Sequence, residues 1–133
     1  MPGLRTLIVD DSSVMRKIVQ RALQQAGLAI AEVLEASNGF EALDILRQQT
    51  VDLVLSDMNM PVMDGLEFMR QIGSVEKARG VPVLMITTEG SESHVREAIS
   101  CGAAGYIRKP FTPDQMKQHV LPLLAGKDAA STV

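Results

Sequence analysis

Side chains that could bind a cation or carry charge-based chemistry follow the apolar segments of this chain. They are, in chain order, Asp10 and Asp11 after the first segment, Asp57 after the third, Thr87 and Thr88 after the fourth, and Lys109 after the fifth. If the segments are parallel strands, their carboxyl ends meet at one edge of a sheet, where ligand crevices form. The three carboxylates, a hydroxyl and the ammonium are then expected to converge. Position alone does not choose between Thr87 and Thr88.

Three carboxylates at one edge would repel each other. If the first and third strands are neighbours, Asp10, Asp11 and Asp57 crowd their charges, which is unfavourable unless a cation neutralises them or a pKa rises. A small set of oxygen ligands that leaves room for water is typical of Mg²⁺, whereas Zn²⁺ favours the His or Cys that this edge lacks. The pattern therefore predicts a magnesium site.

Each of these residues also has a plain structural interpretation. Acids are favoured in the first turn of a helix, so Asp10 and Asp11 by themselves fit a helix N-terminus. Asp57 is harder to explain in this way, because an unpartnered acid after a buried apolar run is costly. Lys109 precedes Pro110, where a surface turn is the alternative to an ion pair and where the peptide bond is a candidate for the cis form.

The elements that must position these side chains alternate between two periodicities. Short apolar runs rich in branched residues predict five strands, at residues 4–9, 33–36, 51–55, 81–86 and 104–107. Apolar residues at helical spacing predict five helices, around residues 14–23, 40–46, 66–72, 95–99 and 116–124. Because consecutive parallel strands need helical crossovers, the order predicts a doubly wound five-stranded parallel α/β sheet.

Two helix starts and one chain end complete the predicted architecture. Asn38-Gly39 is compatible with a hairpin turn, but Glu41 and the apolar residues that follow favour a helix N-terminus. The segment 112–115, Thr-Pro-Asp-Gln, predicts a capping box with Pro at the first helical position. One domain over residues 1–125 and a short C-terminal tail over 126–133 are expected.

Composition and charge exclude several classes of protein. With 133 residues, 46% hydrophobic and 22% charged, the chain is expected to fold as one domain. The net charge of −3 disfavours direct nucleic-acid binding. No apolar run approaches the roughly 18 residues of a membrane span, and no signal-peptide region precedes Asp10, so a cytoplasmic location is expected. Cys101, His94, His119 and the Met residues are interpreted as structural or solvated.

The combined motifs resemble the receiver domain of bacterial two-component response regulators. They are Leu7-Ile8-Val9-Asp10-Asp11, the segment 56–65 (Ser-Asp-Met-Asn-Met-Pro-Val-Met-Asp-Gly), Thr87, and Lys109-Pro110-Phe111. Within this family, Asn59, Glu89, Tyr106 and Phe111 are similar to the CheY-like single-domain chemotaxis regulators. The resemblance implies the flavodoxin-like strand order 2-1-3-4-5 and a non-enzymatic signalling domain.

The resemblance also implies a role for each site residue. Asp57 would accept a phosphoryl group from a sensor histidine kinase, and Lys109 and Thr87 would contact that group. Mg²⁺ would be held by Asp10, Asp11, Asp57 and the backbone carbonyl of Asn59. Asn59 and Glu89 would tune dephosphorylation. Thr87 and Tyr106 would switch the surface formed by the fourth helix, fifth strand and fifth helix.

The implied output partner is the flagellar switch protein or another effector, with the chain a monomer or a weak activation-dependent dimer. A phosphorelay shuttle and a receiver excised from a larger regulator are the alternatives. A phosphatase with an Asp nucleophile is disfavoured because the expected D-x-D-x-T motif is replaced by Asp10-Asp11-Ser12-Ser13-Val14. A flavodoxin is disfavoured by the low aromatic content of 3%.

Overall fold

Five parallel strands alternate with five helices in this protein. The computed structural model describes residues 3–88 and 92–132, except the side chains of residue 92 and of residues 125–132. The elements are β1 (Leu4–Val9), α1 (Ser13–Gln25), β2 (Ile30–Ala36), α2 (Gly39–Gln48), β3 (Leu53–Asp57), α3 (Gly65–Ile72), β4 (Val83–Thr87), α4 (Glu92–Ser100), β5 (Gly105–Arg108) and α5 (Pro113–Thr132). A 3-10 turn, Glu76–Ala78, lies between α3 and β4.

The strands form one sheet in the order β2-β1-β3-β4-β5, and all four pairings are parallel. The order reverses direction between β1 and β3, since β2 lies on one side of β1 and the later strands on the other. In such a sheet the ligand crevice lies beyond the carboxyl ends of the strands at this reversal. The predicted doubly wound fold and its strand order are confirmed.

Alternate strand residues face two apolar layers. One layer joins Leu7 of β1 to the buried faces of α2, α3 and α4, including Phe68. The other joins Ile8 of β1 to α1 and α5, including Leu23 and Met116. Since helices cover both faces, β3 and β4 are buried along their whole length.

Four strands differ in their bounds from the predicted runs. β2 starts at Ile30, before the predicted residue 33, because it is an edge strand in which a polar residue such as Glu32 faces solvent. β3, β4 and β5 start and end one or two residues later than predicted, because polar residues at their carboxyl ends still pair with the sheet. Asp57 and Thr87 are therefore the last residues of β3 and β4.

The predicted helix starts are confirmed. The Asn38 side chain accepts a hydrogen bond from the Glu41 amide at 2.8 Å, which excludes the hairpin alternative. At α5, the Thr112 hydroxyl accepts from the Gln115 amide at 3.1 Å, and the Gln115 side chain accepts from the Thr112 amide at 2.9 Å. This reciprocal pair is the predicted capping box.

The boundary expected at residue 125 falls inside α5, and the division into a domain and a tail stays a prediction. The backbone of α5 is helical through Thr132, so residues 126–132 continue the helix. Within residues 3–88 and 92–132, no helix combines the length and the apolar character needed to cross a bilayer.

Candidate metal centre at the carboxyl edge of the sheet

Three carboxylates converge where β1 and β3 end. β1 and β3 are adjacent, with Val9 paired to Ser56, so the residues that follow each partner, Asp10 and Asp57, lie side by side. One carboxylate oxygen from each of Asp10, Asp11 and Asp57 lies within 4.8 Å of the other two. Asp10 and Asp57 are buried, whereas Asp11 is exposed. The predicted convergence of the acids is confirmed.

Lys109 brings a positive charge to two of these acids. Its Nζ lies 3.5 Å from Oδ1 of Asp57 and 3.8 Å from Oδ2 of Asp10. The predicted ion pair is therefore present and excludes the alternative of a solvated turn lysine. The Lys109–Pro110 peptide bond is cis.

Burial is the main cause of the altered acidity of the two inner carboxyls. It raises the pKa of Asp57 above the ordinary value, and the nearby Lys109 offsets only part of this rise. Burial also raises the pKa of Asp10, where a hydrogen bond from the Ser12 amide acts in the opposite direction. The charge of Asp57 raises the pKa of Asp10 further. The three carboxylates at this edge of the sheet thus carry more negative charge than Lys109 neutralises.

The oxygens of Asp10 differ in their partners. Oδ1 accepts a hydrogen bond from the Ser12 amide at 2.9 Å. Oδ2 is buried and has no hydrogen-bond partner among the described residues, with the Lys109 ammonium 3.8 Å away. A buried carboxylate oxygen without a hydrogen bond is costly, and a hard cation would satisfy it. The donor set of Asp10, Asp11 and Asp57 therefore fits Mg²⁺.

Asn59 lies in the loop after β3 and is exposed. A hydrogen bond from its backbone amide favours the charged form of Asp57, an effect too small to reverse the raised pKa. Coordination through the Asn59 carbonyl stays a prediction. Glu89 falls outside the described residues, so its tuning role also stays a prediction.

The structure distinguishes the two threonines that strand position alone left equivalent. Thr87 is buried at the end of β4 and donates its hydroxyl to the Thr88 carbonyl at 3.1 Å, whereas Thr88 is exposed. Tyr106 lies on β5 opposite Met85 and is 42% exposed. It lines a cavity of about 620 Å³, which also contacts α4 and α5. The switching role of Thr87 and Tyr106 stays a prediction.

Sequence reasoning missed two residues that shape the site. A Cβ on Gly65 would lie 2.5 Å from the Asp57 carbonyl oxygen, so only glycine allows α3 to approach this strand end. Arg16 of α1 donates from Nη1 to the Asp10 carbonyl at 2.6 Å. The Asp64 side chain accepts from the Glu67 amide at 2.9 Å and caps α3, and a glycine directly after such a capping residue is the sequence signal for the close approach. Arg16 had none, since a basic residue on a helix is usually a solvated one.

The remaining polar candidates lie away from the acids. His94, His119 and Cys101 are exposed, and the Nδ1 atom of His119 is 2.8 Å from the Gln115 carbonyl of its own helix. Among the described residues, Asp10, Asp11 and Asp57 form the one group of acids, His or Cys close enough to share a metal ion.

A doubly wound sheet with this acidic edge and lysine has the architecture of a response regulator receiver. The chain belongs to that family, since residues 6–121 match the model described as the response regulator receiver domain.

Curated relatives and solved structures agree with this family. The chemotaxis protein CheY homolog of Campylobacter jejuni is 39% identical over 131 residues, which cover 96% of this chain and 99% of that protein. Chemotaxis protein CheY1 of Helicobacter pylori is 37% identical, with 94% of this chain and 100% of that protein covered. The structure of the chemotaxis response regulator CheY4 of Vibrio cholerae superposes with a TM-score of 0.79 at 36% identity, covering 91% of this chain and 98% of that one.

Proposed function

We propose that this chain is the phosphoacceptor of a two-component signalling system and that Asp57 receives the phosphoryl group from a sensor histidine kinase. The observation that carries the proposal is the position of the buried Asp57 carboxylate between two further acids and the Lys109 ammonium. Such an arrangement supplies a nucleophile together with the groups that can neutralise an arriving phosphoryl group.

The transfer forms one bond and breaks another. A carboxylate oxygen of Asp57 attacks phosphorus, and the bond from phosphorus to the donor nitrogen or acyl oxygen breaks, with its electron pair leaving on the donor. Mg²⁺ held by Asp10, Asp11, Asp57 and the Asn59 carbonyl would offset the charge on the phosphoryl oxygens. Lys109 then contacts a phosphoryl oxygen. Thr87 exchanges its hydrogen bond to Thr88 for one to the same group.

The output follows from the movement of Thr87. Phosphorylation adds charge and acceptor oxygens that draw in the Thr87 hydroxyl, and Tyr106 responds on the next strand. The surface of α4, β5 and α5 then changes its affinity for a partner. The flagellar switch protein is the partner we propose, supported by the relatives that carry the name of chemotaxis proteins.

The proposal has further consequences for the class of protein. The chain acts as a stoichiometric signalling domain that catalyses its own phosphorylation and slow dephosphorylation, without turning over an external substrate. It works in the cytoplasm, binds no nucleic acid directly, and is a monomer or weak dimer. A phosphorelay shuttle and a receiver within a larger regulator share the same site chemistry.

A stoichiometry measurement separates a receiver from an Asp-nucleophile phosphatase. Incubated with Mg²⁺ and an excess of a small amidophosphate, the protein should take up at most one phosphoryl group per chain. With an excess of a generic aryl phosphoester, it should release no phenol product. Continuous turnover of the phosphoester would identify a phosphatase and contradict the proposal.

A titration tests the partner independently of the phosphoacceptor. The N-terminal peptide of a flagellar switch protein is titrated into the domain by calorimetry, with and without Mg²⁺ and beryllofluoride, which stands in for the phosphoryl group. Tighter binding in the activated state supports the chemotaxis output, and the affinity ratio gives the coupling between the two sites. Absence of binding in both states contradicts the flagellar partner.

A further inference from the structure

Arg16 connects three elements next to the acids without contacting a carboxylate of the site. It belongs to α1, its Nη1 donates to the backbone carbonyl of Asp10 at 2.6 Å, and its Nε pairs with Glu35 of β2 at 2.7 Å. The side chain is only 17% exposed. A planar guanidinium can hold two acceptors in fixed directions at once, which a lysine cannot reproduce.

The contacts of Asp10 show what this arrangement achieves. Its amide donates to the Ala36 carbonyl at 3.0 Å, its carbonyl accepts from Arg16, and its Oδ1 accepts from the Ser12 amide. Oδ2 is left without a hydrogen-bond partner among the described residues. β2, α1 and the turn after β1 therefore each fix one polar atom of Asp10. The fourth atom is left for a ligand.

The Asp10 carbonyl also controls the neighbouring acid. This carbonyl and the amide of Asp11 belong to one planar peptide unit, so fixing the oxygen fixes the plane from which Asp11 extends. Asp11 is exposed, and nothing around it buries its carboxylate. The direction of the Asp11 side chain therefore depends on the backbone conformation that Arg16 fixes.

We infer that Arg16 is a positioning residue that orients Asp10 and Asp11 for the cation and for phosphoryl transfer to Asp57. The inference rests on the proposed function and deepens it. Arg16 acts through the backbone of the acidic turn, while Glu35 anchors the guanidinium to the edge strand. In metal sites, removal of residues that orient the ligands weakens metal affinity about 10- to 100-fold.

Arg5 supplies a matched control at the opposite end of β1. Its Nε pairs with Glu32 of β2 at 3.0 Å, and its Nη1 donates to the Thr50 carbonyl at 2.7 Å. Arg5 thus makes the same kinds of contact as Arg16, with a glutamate of β2 and a backbone carbonyl, but far from the acids. A purely structural role for Arg16 would give both arginines the same effect.

The test compares Arg16→Met, Arg16→Lys and Arg5→Met with the unsubstituted chain. Mg²⁺ affinity is measured by calorimetry, the free energy of unfolding by urea, and the rate of phosphorylation by phosphoramidate over a range of Mg²⁺ concentrations. Arg16→Met should weaken Mg²⁺ binding about 10-fold, with much of the rate recovered at saturating Mg²⁺. Arg16→Lys should recover part of this affinity. Arg5→Met should lose stability with its Mg²⁺ affinity unchanged.

Two results would overturn the inference. One is unchanged Mg²⁺ affinity in Arg16→Met, and the other is an equal loss in Arg5→Met. Either can occur while the unsubstituted protein still binds Mg²⁺ and is phosphorylated, which leaves the proposed function standing. If the unsubstituted protein binds no Mg²⁺, both the inference and the proposed magnesium site are wrong.

A second pair of variants keeps the test decisive if Arg16→Met does not fold. Glu35→Gln leaves the bond from Arg16 to Asp10 but weakens the anchor on β2, and Glu32→Gln is its counterpart beside Arg5. Glu35→Gln should weaken Mg²⁺ binding measurably but less than Arg16→Met does, because the amide oxygen of the introduced glutamine still accepts from Nε of Arg16 without the opposite charge. Glu32→Gln should not change it. Equal Mg²⁺ affinities in the two variants would overturn the inference.

Discussion

The ammonium of Lys109 lies 3.5 Å from Oδ1 of Asp57, and the lysine side chain is 21% exposed. The two residues come from β3 and from the turn after β5, which are separated in the sheet by β4. The lysine side chain is long enough to span this gap, so its charge reaches both buried acids. The pair is partly shielded from solvent, which strengthens its attraction.

Substitution of Lys109 by Met should destabilise the protein when Mg²⁺ is absent. Removing one partner leaves a buried carboxylate unpaired, which costs about 3–5 kcal/mol for a fully buried pair. Because Lys109 is partly exposed, we expect the free energy of unfolding to fall by roughly 2 kcal/mol at pH 7. Urea denaturation measures the change. Lys77→Met, whose ammonium contacts the Gln48 carbonyl on the surface, serves as the control. Equal stability of the two variants would contradict the ion-pair account.

The pH dependence of stability should identify the buried acids. Because burial raises the pKa of Asp57, the folded chain holds this proton more tightly than the unfolded chain. The free energy of unfolding therefore falls as pH rises from the ordinary value of 3.8 through the raised folded pKa. Asp57→Asn removes this loss, so in Mg²⁺-free buffer the variant should gain stability relative to the unsubstituted protein as pH rises above 3.8.

Glu41 provides a contrast of opposite sign. A hydrogen bond from the Ser37 amide lowers the pKa of Glu41, so its contribution to stability is present above the ordinary pKa and is lost as pH falls through the folded pKa. Glu41→Gln should therefore lose stability relative to the unsubstituted protein as pH rises.

A stability difference for Asp57→Asn that does not change with pH would contradict the assignment of the raised pKa to Asp57.

Mg²⁺ should stabilise the folded protein through Asp11. A ligand at 100 times its Kd adds about 2.7 kcal/mol to the free energy of unfolding. Asp11 is exposed, so Asp11→Ala should leave the stability without Mg²⁺ nearly unchanged but reduce the gain on adding Mg²⁺ to below about 1 kcal/mol. Asp44→Ala on the surface of α2 should retain the full gain. An equal gain in both variants would place the ion elsewhere.

Val62 stores backbone strain in the loop that carries Asn59. Its φ is 69°, a left-handed conformation that a β-branched residue adopts at a cost of about 1–2 kcal/mol, and its side chain is 84% exposed. Val62→Asn should raise the free energy of unfolding by about 1 kcal/mol, because Asn tolerates this conformation. Val14→Asn, at an exposed position on helix α1, should give no gain. An unchanged free energy of unfolding in Val62→Asn would contradict the backbone strain at this position.

Residues at strand ends could be predicted from the sequence because parallel strands share one edge. That rule predicts that Asp10, Asp57 and Lys109 lie together, and the distances between Lys109 and the two acids confirm it. Strand position alone could not choose between Thr87 and Thr88, because the choice depends on where β4 ends and which hydroxyl is buried; only the family resemblance pointed to Thr87. The bounds of β2 were wrong, since edge strands tolerate polar residues that interrupt the apolar pattern.

Site residues that act through contacts between segments distant in sequence could not be predicted. Arg16 acts on Asp10 only because α1 packs beside β2, where Glu35 fixes the guanidinium. Nothing in the helical pattern of α1 distinguishes this arginine from a solvated one. Gly65 likewise needs the close approach of α3 to Asp57, which is a property of the packed fold.

Mass spectrometry of the intact protein after incubation with phosphoramidate and Mg²⁺ tests the central assignment most directly. We predict one phosphoryl group on the unsubstituted chain, one on the Asp44→Asn control, and none on Asp57→Asn. Omission of Mg²⁺ should greatly reduce the labelling of the unsubstituted chain. Labelling of Asp57→Asn at the level of the unsubstituted protein would place the acceptor on another residue and contradict the account.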